Sequence, residues 1–595
     1  MNSLIMIIAA AGSAALEPVV VTATRTEQPA DQVLASVDIV AGDDLLRLPA
    51  AELSDALRFV PGVEPTRLGG PGQQTSIFVR GTESNHVLVL MDGLRINPGT
   101  IGTAAIQNIA PEFAERIEVV KGPRSTLYGS DAIGGVVNVI TRDAEDGASL
   151  QAGYGSFDTR TAGFSAGFGG ERAGARLAAV WEDSAGFPTR AGDTLDRGYE
   201  NTSFAATVHA AAGPVALGLR GWYASGTTQY SDFFLAPLDQ DFENMTLATT
   251  AEFAPTEVWS SRLMLGHAED NLEQNQSDDF IDTARNTVDW QNDVRLSDAL
   301  TLTAGLLWQD EEADAFSDFG FDLVDAYSSD VTTSQLYLQG QAGSGPHRML
   351  LGAAYTDHET FGGHETWNAE YGYVFAGDAL VTFSAGTAFR APDATDLYSF
   401  FGGNPELEPE ESESYEVGYR QPLGERQSVS IAAFRNDIDG LITFVPTGPF
   451  TGENLNVDEA RIDGLEAEWQ YESEDWLARI AATWQDPRDR TTDERLLRRA
   501  RENYTATLVR RFGGHEIALD VLYNGERRDF DNSDFVGQTQ LAAYWLANLS
   551  AKIALGDRLT LFARIANLLD EYYEPADTYN SMGRGFFGSI RYEFR

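Results

Sequence analysis

The sequence predicts a transmembrane β-barrel preceded by a small α/β domain, and three observations carry that prediction. From about residue 143 to 595, apolar and polar positions alternate in one segment after another. Leu559, Leu561, Ala563 and Ile565 alternate with Thr560, Phe562 and Arg564, and Val429, Ile431 and Ala433 with Ser428, Ser430 and Ala432. Ile590, Tyr592 and Phe594 likewise alternate with Ser589, Arg591 and Glu593. A period of two gives each strand one apolar and one polar face. Second, these segments are separated by long acidic or Gly/Asn/Asp-rich stretches such as Asp310–Asp330, read as loops. Third, no stretch after the N-terminus is long and apolar enough to be a membrane-spanning helix. Strands that cross a bilayer must close into a ring, because an open edge in hydrocarbon leaves backbone groups unpaired. A secreted sandwich or propeller is the competing fold, and no blade-length repeat supports it.

The elements follow in chain order. Leu4–Leu16 is an apolar run ending near the small residues Ser13, Ala14 and Ala15. It reads as a signal peptide over 1–15, although no Lys or Arg precedes the run. Glu17, Pro18, Val19, Val20, Val21, Thr22 and Ala23 then read as a strand with no hairpin partner beside it in sequence. Ala51–Phe59 places apolar residues at helical spacing and is stopped by Pro61-Gly62. Ser76–Gly81, His86–Gly93, Glu115–Gly122 and Gly134–Arg142 are short strands joined by glycine-rich connections.

Composition removes whole classes of function. The chain has no cysteine, which excludes a disulfide scaffold and a thiolate metal site. Ninety acidic residues against 42 basic ones, a net charge of −48, exclude a nucleic-acid partner, whose phosphates need Lys and Arg opposite them. H-E-x-x-H and P-loop patterns are absent, the G-x-S-x-G letters at Gly163–Gly167 lie in the alternating region and form no nucleophile elbow, and Gly129–Gly135 lacks the Lys-Ser/Thr that a phosphate loop needs, so no enzyme is expected.

Ordered motifs then narrow the reading. They are Val19–Pro29, Ser76–Asn97, Arg116–Arg142, Phe389–Pro392, Gly403–Arg420, Arg461–Glu468, Leu496–Ala500 and Ile565–Tyr573. In that order the chain resembles the TonB-dependent outer-membrane receptors of Gram-negative bacteria, and among them those that carry cobalamin. The resemblance implies a barrel of about 22 antiparallel strands over 143–595, with a plug domain over 31–142 filling its lumen. Residues 143–595 allow about 20 residues per strand and connection, which fits. It implies further that 16–30 is a TonB box and linker, with Glu17–Ala23 contacting TonB by strand addition and TonB driven by its inner-membrane energising complex. Outer-membrane lipid would surround the apolar faces. The plug argues against a passive porin. One departure from the family is that the chain ends Phe594-Arg595, its terminal aromatic displaced by one residue.

By position, the resemblance implies substrate contacts at Gln74, Ser76, Glu83, Ile101 and Gly102 in the plug and at Arg498 in the barrel. Amide and hydroxyl groups suit a bulky, amide-rich ligand, and glycine allows close backbone approach. It also implies a structural calcium held by Asp193, Asp196, Asp232, Asp239 and Asp241, since calcium takes six to eight oxygen ligands. Here Pro188 stands at the first ligand position and Arg197 intrudes beside Asp196. No catalytic cofactor is expected. The alternative cargoes are a ferric siderophore or haem. Anionic iron chelates fit poorly with so acidic a chain. Haem needs an axial ligand, and Asp393–Gly403 contains no histidine, which leaves His358 and His364 as the candidates.

Overall fold

The alternating segments form a closed wall. The computed structural model describes residues 20–21, 25–26, 28–29 and 32–594, apart from 171, 321–322, 449–450, 458 and 533–536. The expected signal peptide, together with Glu17, Pro18, Val19, Thr22 and Ala23, lies outside the described residues. Among the described residues, 22 strands close into one barrel, from Gly147–Gly155 to Gly585–Phe594. The first and last strands pair antiparallel, Ala148 opposite Phe594 and Gly155 opposite Phe587. No described helix is long and apolar enough to cross a membrane.

Burial follows the pleat. Outward residues such as Leu336 (61 % exposed) and Ile480 (54 %) form the apolar outer face. Inward residues such as Thr246, Gln335, Gln339 and Thr356 are buried against the lumen. Trp484, Tyr504, Tyr523 and Trp545 stand in a row across four neighbouring strands, with ring centroids 5.6, 5.5 and 4.9 Å apart, as an interfacial aromatic girdle does. One expectation is corrected. Asp310–Asp330 is not a loop: Leu300–Gly320 and Leu323–Ser344 are strands of 21 and 22 residues that pair through it. A membrane strand needs only about 9–11 residues, so about half of this hairpin stands in water, where Asp and Glu replace the apolar face.

The lumen holds a five-stranded sheet in the order Val37–Ala41, Ala114–Lys121, Gly135–Thr141, Val87–Met91, Leu94–Arg95. Gly135–Thr141 runs parallel to Val87–Met91 and the other pairs are antiparallel. The expected helix is present but shorter, Leu53–Leu57. Val89, Met91, Ile117, Val119, Val137 and Val139 form the core of this plug, in one apolar cluster with Val180, Trp222 and Phe242 of the wall.

Buried charge ties plug to barrel. Arg80 donates to Glu466 at 3.0 Å and to Glu416 at 2.5 Å, and Lys121 donates to Glu466 at 3.1 Å and Asp38 at 2.8 Å. Arg124 meets Glu370 at 2.6 Å, and Arg564 meets Asp55 at 3.1 Å. Glu64 accepts from the Gln485 amide at 2.7 Å and the Ala500 N–H at 3.1 Å. Burial pushes its carboxyl up to about 7, against the pull of the Ala500 N–H and of Arg527 and Arg499. Burial acts the same way on Asp55, but Arg564, Arg58 and Arg67 outweigh it and hold that carboxyl well below its usual range.

Two outcomes follow from this anchorage. Glu466→Ala strands the Arg80 and Lys121 cations without a shared partner, which costs about 3–5 kcal/mol. In denaturant titrations of the detergent-solubilised protein, its plug should unfold well before that of the parent, with barrel strand content retained. Glu64 gives the second. Its folded carboxyl keeps a proton up to about 7, whereas the unfolded one releases it near 4.5. Plug stability should therefore fall as pH rises from about 4.5 to 7, by up to about 3 kcal/mol, and level off above. Glu64→Gln should remove that part of the slope in the same titration.

Candidate functional site: plug apex and coupling segment

At one end of the lumen, hairpin, turn and loop converge. Val63–Arg67 pairs with Thr75–Val79, placing Ser76 opposite Thr66 and leaving Gln74 exposed at the tip. Gly72 in this tip has φ +70°, and a Cβ there would lie 1.9 Å from the Tyr199 ring, so only glycine fits. The Ile77 N–H donates to the Ser84 hydroxyl at 3.0 Å, joining the hairpin to the turn that contains Glu83. Gly102 (φ +65°) closes the third piece by donating to the Pro98 carbonyl at 2.9 Å. A Cβ at Gly102 would meet Asn85 and Asp393, each at 3.0 Å. The five plug residues expected to touch substrate therefore share one apex, with Ile101 half-buried beside Gly102.

The barrel reaches this apex through adjacent arginines. Arg499 is buried, pairs with Glu83, donates to the Gly81 carbonyl at 3.2 Å and lies 4.6 Å over the Phe78 ring. Glu83 is thus a half-buried ion-pair partner that also caps the turn Ser84–His86. Arg498 stands one residue away with φ +64°, and its Nε donates to the buried Asp529 at 2.8 Å. Its side chain is 27 % exposed, so it offers further donors to a ligand.

A second cluster escaped the sequence reading. Arg390 donates to Glu410 at 2.7 Å and to Asp393 at 2.8 Å and also pairs with Asp396, while His86 Nε2 lies 3.0 Å from Glu410. Burial and the adjoining Asp396 carboxylate push the Asp393 carboxyl up. The helix Ala394–Tyr398 then hydrogen-bonds the plug loop, Ala394 N–H to the Gly99 carbonyl at 2.9 Å and Thr395 N–H to the Thr100 carbonyl at 3.0 Å. Phe389–Pro392 and Glu410 both lie in quoted motifs, so the residues were visible, but their meeting depends on barrel register.

The five aspartates do not converge. Asp193 is taken by Arg197 at 2.9 Å and by the Ser231 hydroxyl, and Asp232 accepts the Ala236 N–H at 2.7 Å. Asp239 meets Gln276, Asp241 accepts from Thr227 at 2.6 Å and Asn275 at 3.1 Å, and Asp196 is exposed. Among the described residues, no three His, Cys, Asp or Glu side chains gather as a metal site.

At the other end lies the coupling segment. The expectation that it has no partner in the chain is corrected: Val20 pairs with Pro29 and Val21 with Gln28. Arg25 at φ +58° helps turn the chain back between them. The ladder is minimal, since it has two rungs and Pro29 has no N–H to give. Arg25 fixes it to the wall. Its guanidinium pairs with Asp289, donates to the Tyr337 hydroxyl at 3.2 Å and lies 4.8 Å over the Tyr128 ring of the plug.

Residues 141–568 match the family model described as TonB dependent receptor-like, beta-barrel, and 29–136 that of the TonB-dependent receptor plug domain. The chain is 34 % identical over 604 residues to a vitamin B12 transporter BtuB of Vibrio vulnificus (strain YJ016), covering 97 % of this chain and 95 % of the relative. It is 31 % identical over 600 residues to the one of Photobacterium profundum, covering 98 % and 97 %. Among solved structures, the siderophore receptor PirA from Acinetobacter baumannii superposes with a TM-score of 0.81 at 17 % identity, over 94 % of this chain and 98 % of that one. The plugged barrel and these matches make this chain a member of the TonB-dependent outer-membrane receptors of Gram-negative bacteria, which are transporters and not enzymes.

Proposed function

We propose that the cargo is cobalamin or a related corrinoid, bound at the plug apex and drawn through the barrel by work that TonB applies to Glu17–Ala23. The observation that carries this reading is likeness along the whole chain to relatives named vitamin B12 transporters, at 31–34 % identity. The likeness to a siderophore receptor is one of fold, at 17 % identity. The apex chemistry agrees. Gln74, Ser76 and the free donors of Arg498 suit the amides and phosphate of a corrinoid better than a bare metal.

Haem is disfavoured by the two histidines left as axial candidates. His358 is buried, and its Nδ1 accepts the Thr360 and Phe361 N–H groups at 3.3 and 3.4 Å. His364 stacks on Phe389 at 4.5 Å.

Purified receptor should bind cyanocobalamin saturably and leave haemin and ferric siderophores unbound. Arg498→Ala should weaken that binding by about tenfold or more, the worth of a charged hydrogen bond. Tight binding of an iron chelate with none of cobalamin would reverse the cargo assignment. In cells, Val20→Pro removes a backbone donor from the coupling strand. Uptake of labelled cyanocobalamin should collapse in that variant while surface binding persists.

A further inference from the structure

The plug is fastened by different means on its two sides, and open space lies on the side where apolar contacts and amide hydrogen bonds such as Asn108 to Asn244 replace buried ion pairs. The buried ion pairs of Arg80, Lys121, Arg124, His86 and Asp55 all reach barrel strands between Gly362–Val374 and Leu559–Ala566. The wall built by Val215–Ser231, Pro237–Thr256, Trp259–Gln274 and Phe280–Ser297 is different. Among the described residues its ion pair to the plug is Arg220 with Asp92, 29 % exposed on the arginine side, and Asp289 pairs with Arg25 of the coupling segment.

Two cavities lie along that wall. The upper is a narrow recess of about 10 Å³, where plug residues Asn97, Pro98 and Ala105 at the ends of the apical loop face Trp222, Asn244 and Ala268. The lower is a chamber of about 610 Å³, lined from the wall by Thr250, Gln291, Arg262 and Asp293, from the plug by Asn138 and Asp92, and from the coupling segment by Arg25. Each of these strands lines both, Asn244 facing the recess and Thr250 the chamber on Pro237–Thr256. Between them stands one apolar patch: Leu94, 1 % exposed, packed on Ala248, Met264 and Ala268. Ala268 also lines the recess, and Ala248 and Met264 line the chamber.

Leu94 fits there because the facing wall residue is Gly266, whose Cβ would lie 2.4 Å from Leu94 Cδ1. It is carried by the two-residue edge strand Leu94–Arg95, which pairs only through Leu90 and Met91. The coupling segment docks on this same wall, since the Gln291 amide donates to the Arg25 carbonyl at 3.2 Å. Recess, notch and chamber therefore line up between the ligand loop and the point where force enters.

We propose that cargo crosses along this wall, through the polar chamber, and that Leu94 is the residue that closes the route. The proposal rests on the transport reading above. A chamber lined by charged, hydroxyl and amide groups, Asp92, Arg262 and Asp293 among them, offers a large polar ligand partners to exchange as it moves. Opening requires displacing one edge strand and one leucine, while the ion-paired side of the plug stays in place.

Because the chain has no cysteine, engineered pairs are its only thiols. Leu94→Cys with Gly266→Cys pins the plug to this wall. Thr126→Cys with Gly352→Cys pins it elsewhere, where a Cβ on Gly352 would lie 3.1 Å from Thr126 Cγ2. With the first pair oxidised or bridged by a short bis-thiol reagent, cells should bind cyanocobalamin normally but take it up about tenfold more slowly, and recover on reduction. The second pair, equally crosslinked, should keep uptake within about twofold. Uptake through the crosslinked Leu94 pair, or equal loss in both, overturns the route.

A measurement without cargo separates this from the cobalamin assignment. In cells with active TonB, an impermeant maleimide added outside should label Thr250→Cys about tenfold faster when Leu94 is also replaced by alanine. An unchanged rate overturns the gate whatever the cargo is.

Discussion

Hydrocarbon cannot solvate a peptide group, and the rest of this structure depends on that. Every strand crossing the bilayer must pair on both sides, so the sheet has to close on itself. Closure with 22 strands encloses more space than inward side chains can fill. A barrel of that size is an open pore unless something else occupies it. The N-terminal domain is that occupant, and its position inside the wall explains why the inward face of the barrel is rich in Thr, Gln, Asn and Glu.

The contact between plug and wall is accordingly unlike a protein core. On one side an apolar cluster runs from the plug sheet into wall residues such as Val180, Trp222 and Phe242, while on the other the joint is made by single charged side chains such as Arg80, Glu466, Lys121 and Arg564. Buried pairs of this kind contribute little net stability but are costly to break one partner at a time. They fix register and leave the two bodies separable.

Much of this was legible in the sequence. Period-two alternation marks the wall, and the plug strands at Val87–Met91, Ala114–Lys121 and Gly135–Thr141 stand out as short β-branched runs. Misread segments have local causes. Asp310–Asp330 reads as a loop because its acidity breaks the apolar alternation, whereas strand pairing continues wherever water replaces lipid. The partner of Val20–Val21 was missed because a two-rung ladder closed by proline carries almost no sequence signal. In the site, the apical loops announced themselves through Gly72 and Gly102. Arg390 with His86 and Glu410 did not, since residues more than 300 positions apart meet only once the barrel is shut. Of the two neighbouring arginines, which one pairs with the plug and which faces outward is set by the left-handed backbone at Arg498.

The pairing of Gly147–Gly155 with Gly585–Phe594 also dictates an order of assembly. The ring cannot shut until the last strand has been delivered, so nearly the whole chain must wait, unjoined, for its own C-terminus. The domain made first has to be standing in the gap when the seam forms. The plug is thus a core around which the cylinder is wrapped, and a chain that loses its final strand forfeits both the wall and the place of everything inside it.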